Sequence, residues 1–174
     1  MVNQKELEAA LRQVLTWNGL EKPDFAVVIP VVLEETPRLL IEVRAEGISQ
    51  AGDPCFPGGR IEPGETPAVA CLRELREELG IALPPDRLLG RLPTVRTYLG
   101  SRSDVFVALV TPEEAAQAKP DPTEVAVLLS PPLSFFLAHP GNASFPVDGH
   151  TVWGMTAGAI RHLCRAWEAA CREW

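Results

Sequence analysis

The alternation of apolar and polar residues predicts a helix at the start of the chain and two strands after it. Within residues 4–17, apolar side chains recur at helical spacing, which predicts an amphipathic helix that Asn18-Gly19 ends. These apolar residues are Leu7, Leu11, Val14 and Leu15. Residues 25–33 form an apolar run that predicts a buried strand, in which Pro30 indicates a bulge or an edge. Residues 39–44 predict a second strand.

A second amphipathic helix is predicted in the middle of the chain. Thr66 suits its N-cap, Pro67 suits the first helical position, and Gly80 suits a left-handed C-terminal stop. One face of this helix is apolar and is expected to pack on a sheet; its residues are Ala68, Leu72, Leu75 and Leu79. A separate face carries three carboxylates spaced three and four positions apart, those of Glu74, Glu77 and Glu78.

The second half of the chain predicts further strands and two more helices. Strands are expected at residues 87–95, 103–110, 124–129, 144–147 and 151–153, the last two forming a hairpin. Helices are expected at residues 131–138, with Ser130 as the cap, and at residues 155–171. Residues 45–55 and 115–122 are expected to be connections. This order predicts an α/β fold, a mixed sheet with helices on both faces, in a single domain spanning residues 1–174.

Length, charge and cysteine usage narrow the range of functions. The 174 residues suit one domain, and the net charge of −7 argues against nucleic acid or an anionic membrane as the main partner. No apolar run reaches about 18 residues and the first residues are polar, so we expect a soluble, cytoplasmic protein without a membrane span. The four cysteines lack zinc-site spacing and are expected to be free thiols. Cys55 is open to two interpretations, a reactive thiol or a small hydrophobic side chain.

Residues 59–81, which read GRIEPGETPAVACLRELREELGI, carry the main chemical motif of the chain. Gly59 is followed after five residues by Glu65 and after seven more by Arg73-Glu74. An apolar residue, any residue, Glu77-Glu78, any residue and Gly80 complete the pattern. This stretch resembles the signature of the Nudix hydrolases, the Nudix box, with every fixed position filled. Independently of that resemblance, several carboxylates without a nearby lysine are suited to a hard divalent cation.

The resemblance implies an α/β/α sandwich and a metal-dependent reaction. The family's reaction is attack of water on a phosphorus of a nucleoside diphosphate linked to another group, with bound Mg²⁺ or Mn²⁺ as the cofactor. By resemblance, Glu74 and Glu78 are the direct metal ligands, Glu77 lies close behind them or binds through water, and Gly59 lets the backbone approach the metal. Glu124 and Asp104, each at the start of a predicted strand, are open candidates for further ligands.

The resemblance also implies catalytic roles within the same motif. A carboxylate must accept the proton of the attacking water. We expect Glu74 to do so, with Glu77 beside it. Arg73 projects about 100° from Glu74 around the helix, so we expect it to orient the site in a pair with Glu65 rather than to react. The three histidines are interpreted as structural; they are His139, His150 and His162.

The residues before the motif narrow the substrate. Leu39-Leu40, Arg44, Gly52 and residues 56–59 (FPGG) resemble the upstream signature of the coenzyme A pyrophosphatase branch of the family, and residues 152–157 (VWGMTA) resemble its later part. The branch implies substrate binding by Arg44, Phe56, Gly58 and Gly59. The chain departs from the signature where Ala45 replaces a serine and where Ile48 or Ser49 stands in place of a second arginine.

Three functions follow as alternatives. The first is hydrolysis of coenzyme A or its thioesters to 4′-phosphopantetheine and adenosine 3′,5′-bisphosphate. The second is the same chemistry on another small nucleotide, such as ADP-ribose or a dinucleotide. The third is a ligand-sensing module of the same fold without catalysis, against which stand the intact carboxylates of Glu65, Glu74, Glu77 and Glu78. The oligomeric state is open between a monomer and a homodimer.

Overall fold

Ten strands and five α-helices make up the part of the chain that the computed structural model describes, residues 3–19, 22–96 and 99–172. The strands are β1 (Phe25–Val32), β2 (Arg38–Leu39), β3 (Ile41–Arg44), β4 (Pro54–Cys55), β5 (Gly58–Arg60), β6 (Leu88–Arg96), β7 (Arg102–Val110), β8 (Val125–Leu129), β9 (Phe145–Val147) and β10 (His150–Val152). The helices are α1 (Gln4–Val14), α2 (Pro67–Leu79), α3 (Pro112–Ala116), α4 (Leu133–Leu137) and α5 (Gly154–Arg172). A short 3₁₀ turn, Pro85–Arg87, precedes β6.

The strands form two sheets and a hairpin. In the main sheet, β1 pairs in parallel with β7 along its whole length, and β6 pairs antiparallel with β7. The other edge of β1 is shared by β5 and β2, both antiparallel. A small sheet has the order β4-β3-β8, and β9 and β10 form the hairpin that the sequence predicts.

Helices cover both faces of the main sheet because β1 buries side chains on both of its faces. Val27, Ile29 and Val31 point into a cluster shared with α1 and α5. Ala26 and Val28, from the alternate positions, point into a second cluster shared with α2. The predicted α/β fold, with a mixed sheet between helices, is therefore confirmed.

The helix α2 begins and ends where the sequence predicts. The Thr66 side chain accepts a hydrogen bond from the Val69 backbone N–H at 3.2 Å, and Gly80 ends the helix with φ of 68°. Its last carbonyl groups accept hydrogen bonds from the segment before β8, from Lys119 to Leu79 and from Asp121 to Glu78, both at 2.8 Å. These bonds satisfy the end of the helix and hold the start of β8 beside it.

The predicted strand at residues 39–44 is wrong as a single element. The chain leaves the main sheet at Leu40, whose backbone N–H donates to the Pro30 carbonyl, so that β2 and β3 belong to different sheets. Pro30 itself lies inside β1, although the sequence suggested a bulge or an edge. Its nitrogen faces the side on which β1 changes partner from β5 to β2, where no ladder hydrogen bond is required.

Several other boundaries differ from the prediction, and three of the differences have a clear structural reason. Helix α1 ends at Val14 because the next residues turn to pair Thr16 with Arg91 on β6. Helix α3 falls partly in a predicted connection and is stabilised by a capping box between Thr111 and Glu114. Ser130 is not a helix cap, since its hydroxyl accepts a hydrogen bond from Arg38 and α4 starts after Pro132.

Over the described residues, none of the helices has the length and apolar content required to cross a bilayer.

We expect Gly58→Ala to destabilise the fold. A Cβ at Gly58 would lie 2.6 Å from the Ala26 carbonyl oxygen and 2.8 Å from Val27 Cα, so β5 would have to move away from β1. The expected loss is about 1–3 kcal/mol of unfolding free energy, measured by urea denaturation. Gly141→Ala is the matched control, because a Cβ there meets no heavy atom within 4 Å. Equal midpoints for both variants would contradict this account of Gly58.

Candidate functional site

The three glutamates of α2 occupy three different environments. Glu78 is 4% exposed, whereas the side chains of Glu74 and Glu77 are 15% and 55% exposed. Glu78 follows Cys71 by seven positions and Leu75 by three, which places it on the buried stripe of the helix. The predicted separation between an apolar face and an acidic face is therefore wrong for Glu78, which belongs to both.

A carboxylate from another part of the chain joins two of these glutamates. Glu74, Glu78 and Glu124 each contribute an oxygen, and the three oxygens lie within 4.8 Å of one another. The bonds between α2 and residues 119–121 bring Glu124 to this position. Of the two open ligand candidates, Glu124 thus joins the cluster. Asp104 instead pairs with Arg91 at 2.9 Å and is not in this group of the described carboxylates.

The donors of this cluster fit a hard divalent cation. Carboxylate oxygens are the ligands that Mg²⁺ and Mn²⁺ prefer, and three of them converge here. One oxygen of Glu78, Oε2, is buried and has no hydrogen-bond donor among the described residues. A buried carboxyl oxygen without a hydrogen-bond partner is costly, and a bound cation would provide the partner that the protein lacks there.

Arg73 ties the outer carboxylates together. Its Nε and Nη2 donate to the two oxygens of Glu65 at 2.8 and 2.9 Å, and its Nη1 donates to Glu74 at 2.9 Å and to Glu77 at 3.1 Å. The hydrogen bonds from Arg73, followed by one from the Glu62 backbone, lower the pKa of Glu65. Arg73 and Glu65 thus form the pair that the sequence predicts, in a bidentate contact. Glu77 lies at the exposed rim, where it accepts a hydrogen bond from Arg73.

The two glycines before the central helix have different structural reasons. A Cβ at Gly59 would collide with the Glu74 carboxylate, so the absence of a side chain lets that carboxylate lie against the backbone of β5. Gly58 instead allows β5 to approach β1, as described above. Of these two glycines, only Gly59 therefore makes room for a carboxylate of the acidic cluster.

Glu42 was not predicted from the sequence as a site residue. This residue of β3 is 3% exposed, and its carboxyl lies within hydrogen-bonding reach of Glu78. Burial raises the pKa of Glu42; burial and then the contact with Glu42 raise the pKa of Glu78 far above its usual range. The available signal was a carboxylate inside the apolar run LLIEV, where a strand buried on both faces leaves the charge no access to water.

Arg44 and Phe56, two of the residues predicted to bind substrate, lie in different environments. Arg44 ends β3, its Nε donates to the Ser49 carbonyl at 2.6 Å, and its charge acts on both Glu42 and Glu124. Phe56 is 4% exposed and packs in the larger hydrophobic cluster. Its side chain is therefore a core residue, and any contact with substrate would have to come from its backbone.

The contacts of the cysteines and of His139 indicate structural roles for these residues. All four cysteines are free, as expected. The Cys55 thiol donates to Glu42 Oε1 at 3.5 Å, and burial, with the nearby Glu42 charge, raises the pKa of Cys55, which disfavours a reactive thiolate. His139 Nδ1 lies 2.8 Å from the Phe135 carbonyl within the turn that follows α4.

Comparisons with known proteins find similar sequences and similar folds. The family model for the NUDIX domain matches residues 22–144. A relative from Citrobacter koseri named "Uncharacterized Nudix hydrolase NudL" is 34% identical over 171 residues, which cover 88% of this chain and 87% of that protein.

Two solved structures share the fold. The MutT/nudix family protein from Enterococcus faecalis superimposes with a TM-score of 0.62 at 13% identity, over 97% of this chain and 76% of that one. The NUDIX domain of Shewanella oneidensis NrtR, complexed with ADP ribose, superimposes with a TM-score of 0.56 at 18% identity, over 89% and 90% of the two chains.

We expect Mn²⁺ or Mg²⁺ to raise the melting temperature of the protein, because the cation would bind the carboxylates of Glu74, Glu78 and Glu124 only in the folded state. At a concentration of about 100 times Kd the gain in unfolding free energy is about 2.7 kcal/mol. Glu78→Gln is expected to lose this gain while melting no lower than the wild type without metal, since it removes one of two adjacent buried acids. Differential scanning calorimetry measures both effects.

Glu113→Gln, on α3 and outside the cluster, is the control for this experiment. An equal metal-dependent shift of the melting temperature in the wild type and in Glu78→Gln would contradict a cation site that includes Glu78.

Proposed function

The chain belongs to the NUDIX domain family and is a pyrophosphohydrolase, and from this we propose that it uses a divalent cation to hydrolyse the pyrophosphate bond of coenzyme A or its thioesters. The convergence of the Glu74, Glu78 and Glu124 oxygens within 4.8 Å carries the proposal. The products would be 4′-phosphopantetheine and adenosine 3′,5′-bisphosphate.

Glu74, Glu78 and Glu124 would hold the cation, Mg²⁺ or Mn²⁺. Glu77 lies at the rim and is proposed to act through water, and the β5 backbone at Gly59 is proposed to lie at the metal because nothing separates it from Glu74. When bound, such a cation offsets the charge of the pyrophosphate and lowers the pKa of a water molecule beside it.

Glu74 is the residue to which we assign the proton of the attacking water. Its Oε1 accepts a hydrogen bond from Arg73, so Oε2 is the oxygen that we assign to the proton. Water oxygen bonds to phosphorus, the bridging P–O bond breaks, and the bond's electron pair leaves with the departing phosphate. Arg73, fixed by its bidentate pair with Glu65, acts as the positioning residue for Glu74.

Coenzyme A is favoured by a contact between the two stretches that resemble the coenzyme A branch. Trp153 Nε1 donates to Asp53 Oδ1 at 3.5 Å, and the Thr156 hydroxyl donates to the Pro54 carbonyl at 3.3 Å. The Arg44 backbone N–H also donates to the Asp53 carbonyl at 3.0 Å. Segments about 100 positions apart in sequence therefore form one edge beside β4, which leads directly to Gly59.

ADP-ribose or a dinucleotide is the second candidate substrate. The absence of a second arginine favours this candidate. Ser49, one of the two residues that stand in place of that arginine, has no positive charge with which to bind a phosphate, and its carbonyl accepts a hydrogen bond from Arg44. The NUDIX domain of NrtR, which shares the fold, is complexed with ADP ribose. A non-catalytic module is the weakest candidate, because Glu65, Glu74 and Glu78 are all present.

We expect purified protein with Mg²⁺ or Mn²⁺ to hydrolyse coenzyme A faster than ADP-ribose, with the two predicted products resolved by ion-pair chromatography. Glu78→Gln should lower the turnover of either substrate by about 100-fold, because the variant removes a cation ligand. If ADP-ribose is turned over as fast as coenzyme A or faster, ADP-ribose replaces coenzyme A as the proposed substrate. Unchanged turnover by Glu78→Gln would reject Glu78 as a ligand of the cation.

We expect Arg44→Ala to raise KM for coenzyme A about tenfold or more and to leave KM for 3′-dephospho-coenzyme A almost unchanged. The reason is that a guanidinium–phosphate hydrogen bond is worth about 1.5–3 kcal/mol, and only coenzyme A carries the 3′-phosphate. Arg165→Ala, an exposed arginine on α5, is the control. Equal changes in KM for both substrates would assign Arg44 a structural role through Ser49 instead.

A further inference from the structure

Glu42 occupies a position in β3 that should carry an apolar side chain. Its neighbours Ile41 and Val43 point into the larger hydrophobic cluster, so alternation along the strand turns Glu42 to the opposite face, towards α2. It is paired across the small sheet with Cys55 on β4 and with Leu128 on β8. With strands on both sides and a helix above, Glu42 is 3% exposed.

The surroundings of Glu42 contain another acid and a weak donor. Its carboxyl lies within hydrogen-bonding reach of Glu78, which is 4% exposed, and its Oε1 accepts from the Cys55 thiol. Oε2 of Glu42 and Oε2 of Glu78 are both buried and receive no hydrogen bond from the described residues. Arg44 acts on Glu42 through its charge, but its Nε is directed to the Ser49 carbonyl. Two adjacent buried carboxyls are therefore left incompletely satisfied by the protein.

We propose that Glu42 is a further metal-binding carboxylate, which shares a divalent cation with Glu78 at the inner end of the acidic cluster. This inference rests on the proposed function, since it extends the same cation site. Two neighbouring carboxyls from separate elements, β3 and α2, each with a buried oxygen that has no partner among the described residues, supply the oxygen ligands that a divalent cation requires. Glu78 then connects two sets of ligands, Glu42 on its inner side and Glu74 with Glu124 on its outer side.

A purely structural role for Glu42 makes a different demand. In that role, Glu42 only needs to form a hydrogen bond with Glu78 and to fill the space between β4 and α2. A glutamine of almost the same shape would fulfil that role, because its amide can donate to the Glu78 carboxylate. A ligand role needs the negative charge, which glutamine lacks. Glu42→Gln therefore separates the two roles.

The test is a Mn²⁺ titration of wild type and Glu42→Gln by isothermal calorimetry, with melting temperatures measured without metal. We expect the variant to melt at or above the wild-type temperature without metal and to bind Mn²⁺ about tenfold or more weakly. Glu62→Gln is the matched control, since it removes one charge near Arg73 from a side chain that is 64% exposed. It is expected to bind Mn²⁺ within about twofold of the wild type.

Glu42→Asp is the second variant, and it keeps the charge while withdrawing the carboxylate by one methylene. It is also expected to bind Mn²⁺ about tenfold more weakly, because ligand distance as well as charge matters. Mn²⁺ affinity of Glu42→Gln within twofold of the wild type would overturn the inference and leave the proposed function intact. If Glu42→Gln does not fold, unchanged affinity in Glu42→Asp overturns it. Failure of the wild type to bind Mn²⁺ would overturn both.

Discussion

The burial of carboxylates at the junction of α2, β3 and the start of β8 is the constraint on which the site depends. A charged carboxylate removed from water needs an opposite charge or hydrogen-bond donors, and the protein supplies these unevenly. Arg73 provides them for Glu65, Glu74 and Glu77 on the outer side. The inner pair, Glu42 and Glu78, has the Cys55 thiol and the contact between the two carboxyls, and each keeps one buried oxygen without a partner among the described residues. The protein therefore satisfies the carboxylates at the rim of the site, and the proposed cation would complete the contacts at its centre.

The surrounding fold places these carboxylates by backbone interactions rather than by contacts among the carboxylates themselves. The end of α2 is satisfied by residues 119–121, and this brings Glu124 to the cluster. The absence of a side chain at Gly59 leaves room for the Glu74 carboxylate against β5. The departure of the chain from the main sheet at Leu40 carries Glu42 across to α2. Main-chain hydrogen bonds thus fix the positions of groups that would repel one another in isolation.

The sequence predicted what depends on local pattern and missed what depends on pairing between distant segments. The caps of α2 and the spacing of Glu74 and Glu78 are local, and the structure has the helix at those bounds. The break at Leu40 arises because β1 exchanges one partner strand for another, which no local periodicity reveals. Glu42 was missed for the same reason, since its contact with Glu78 spans two elements. The exposure of Glu77 depends on how α2 sits on the sheet, which its spacing alone did not determine.

The carboxylates of the site come from two parts of the fold. Glu42 lies on β3 of the small sheet and Glu124 directly precedes β8, whereas Glu74 and Glu78 lie on α2, which packs on the main sheet. A cation bound by both sets of carboxylates would link the small sheet to α2, because separating the two would break its contacts with one set. Amide hydrogen exchange in β3 and β8 would then be slower when the cation is bound, so the protection of these strands would report the occupancy of the proposed cation site.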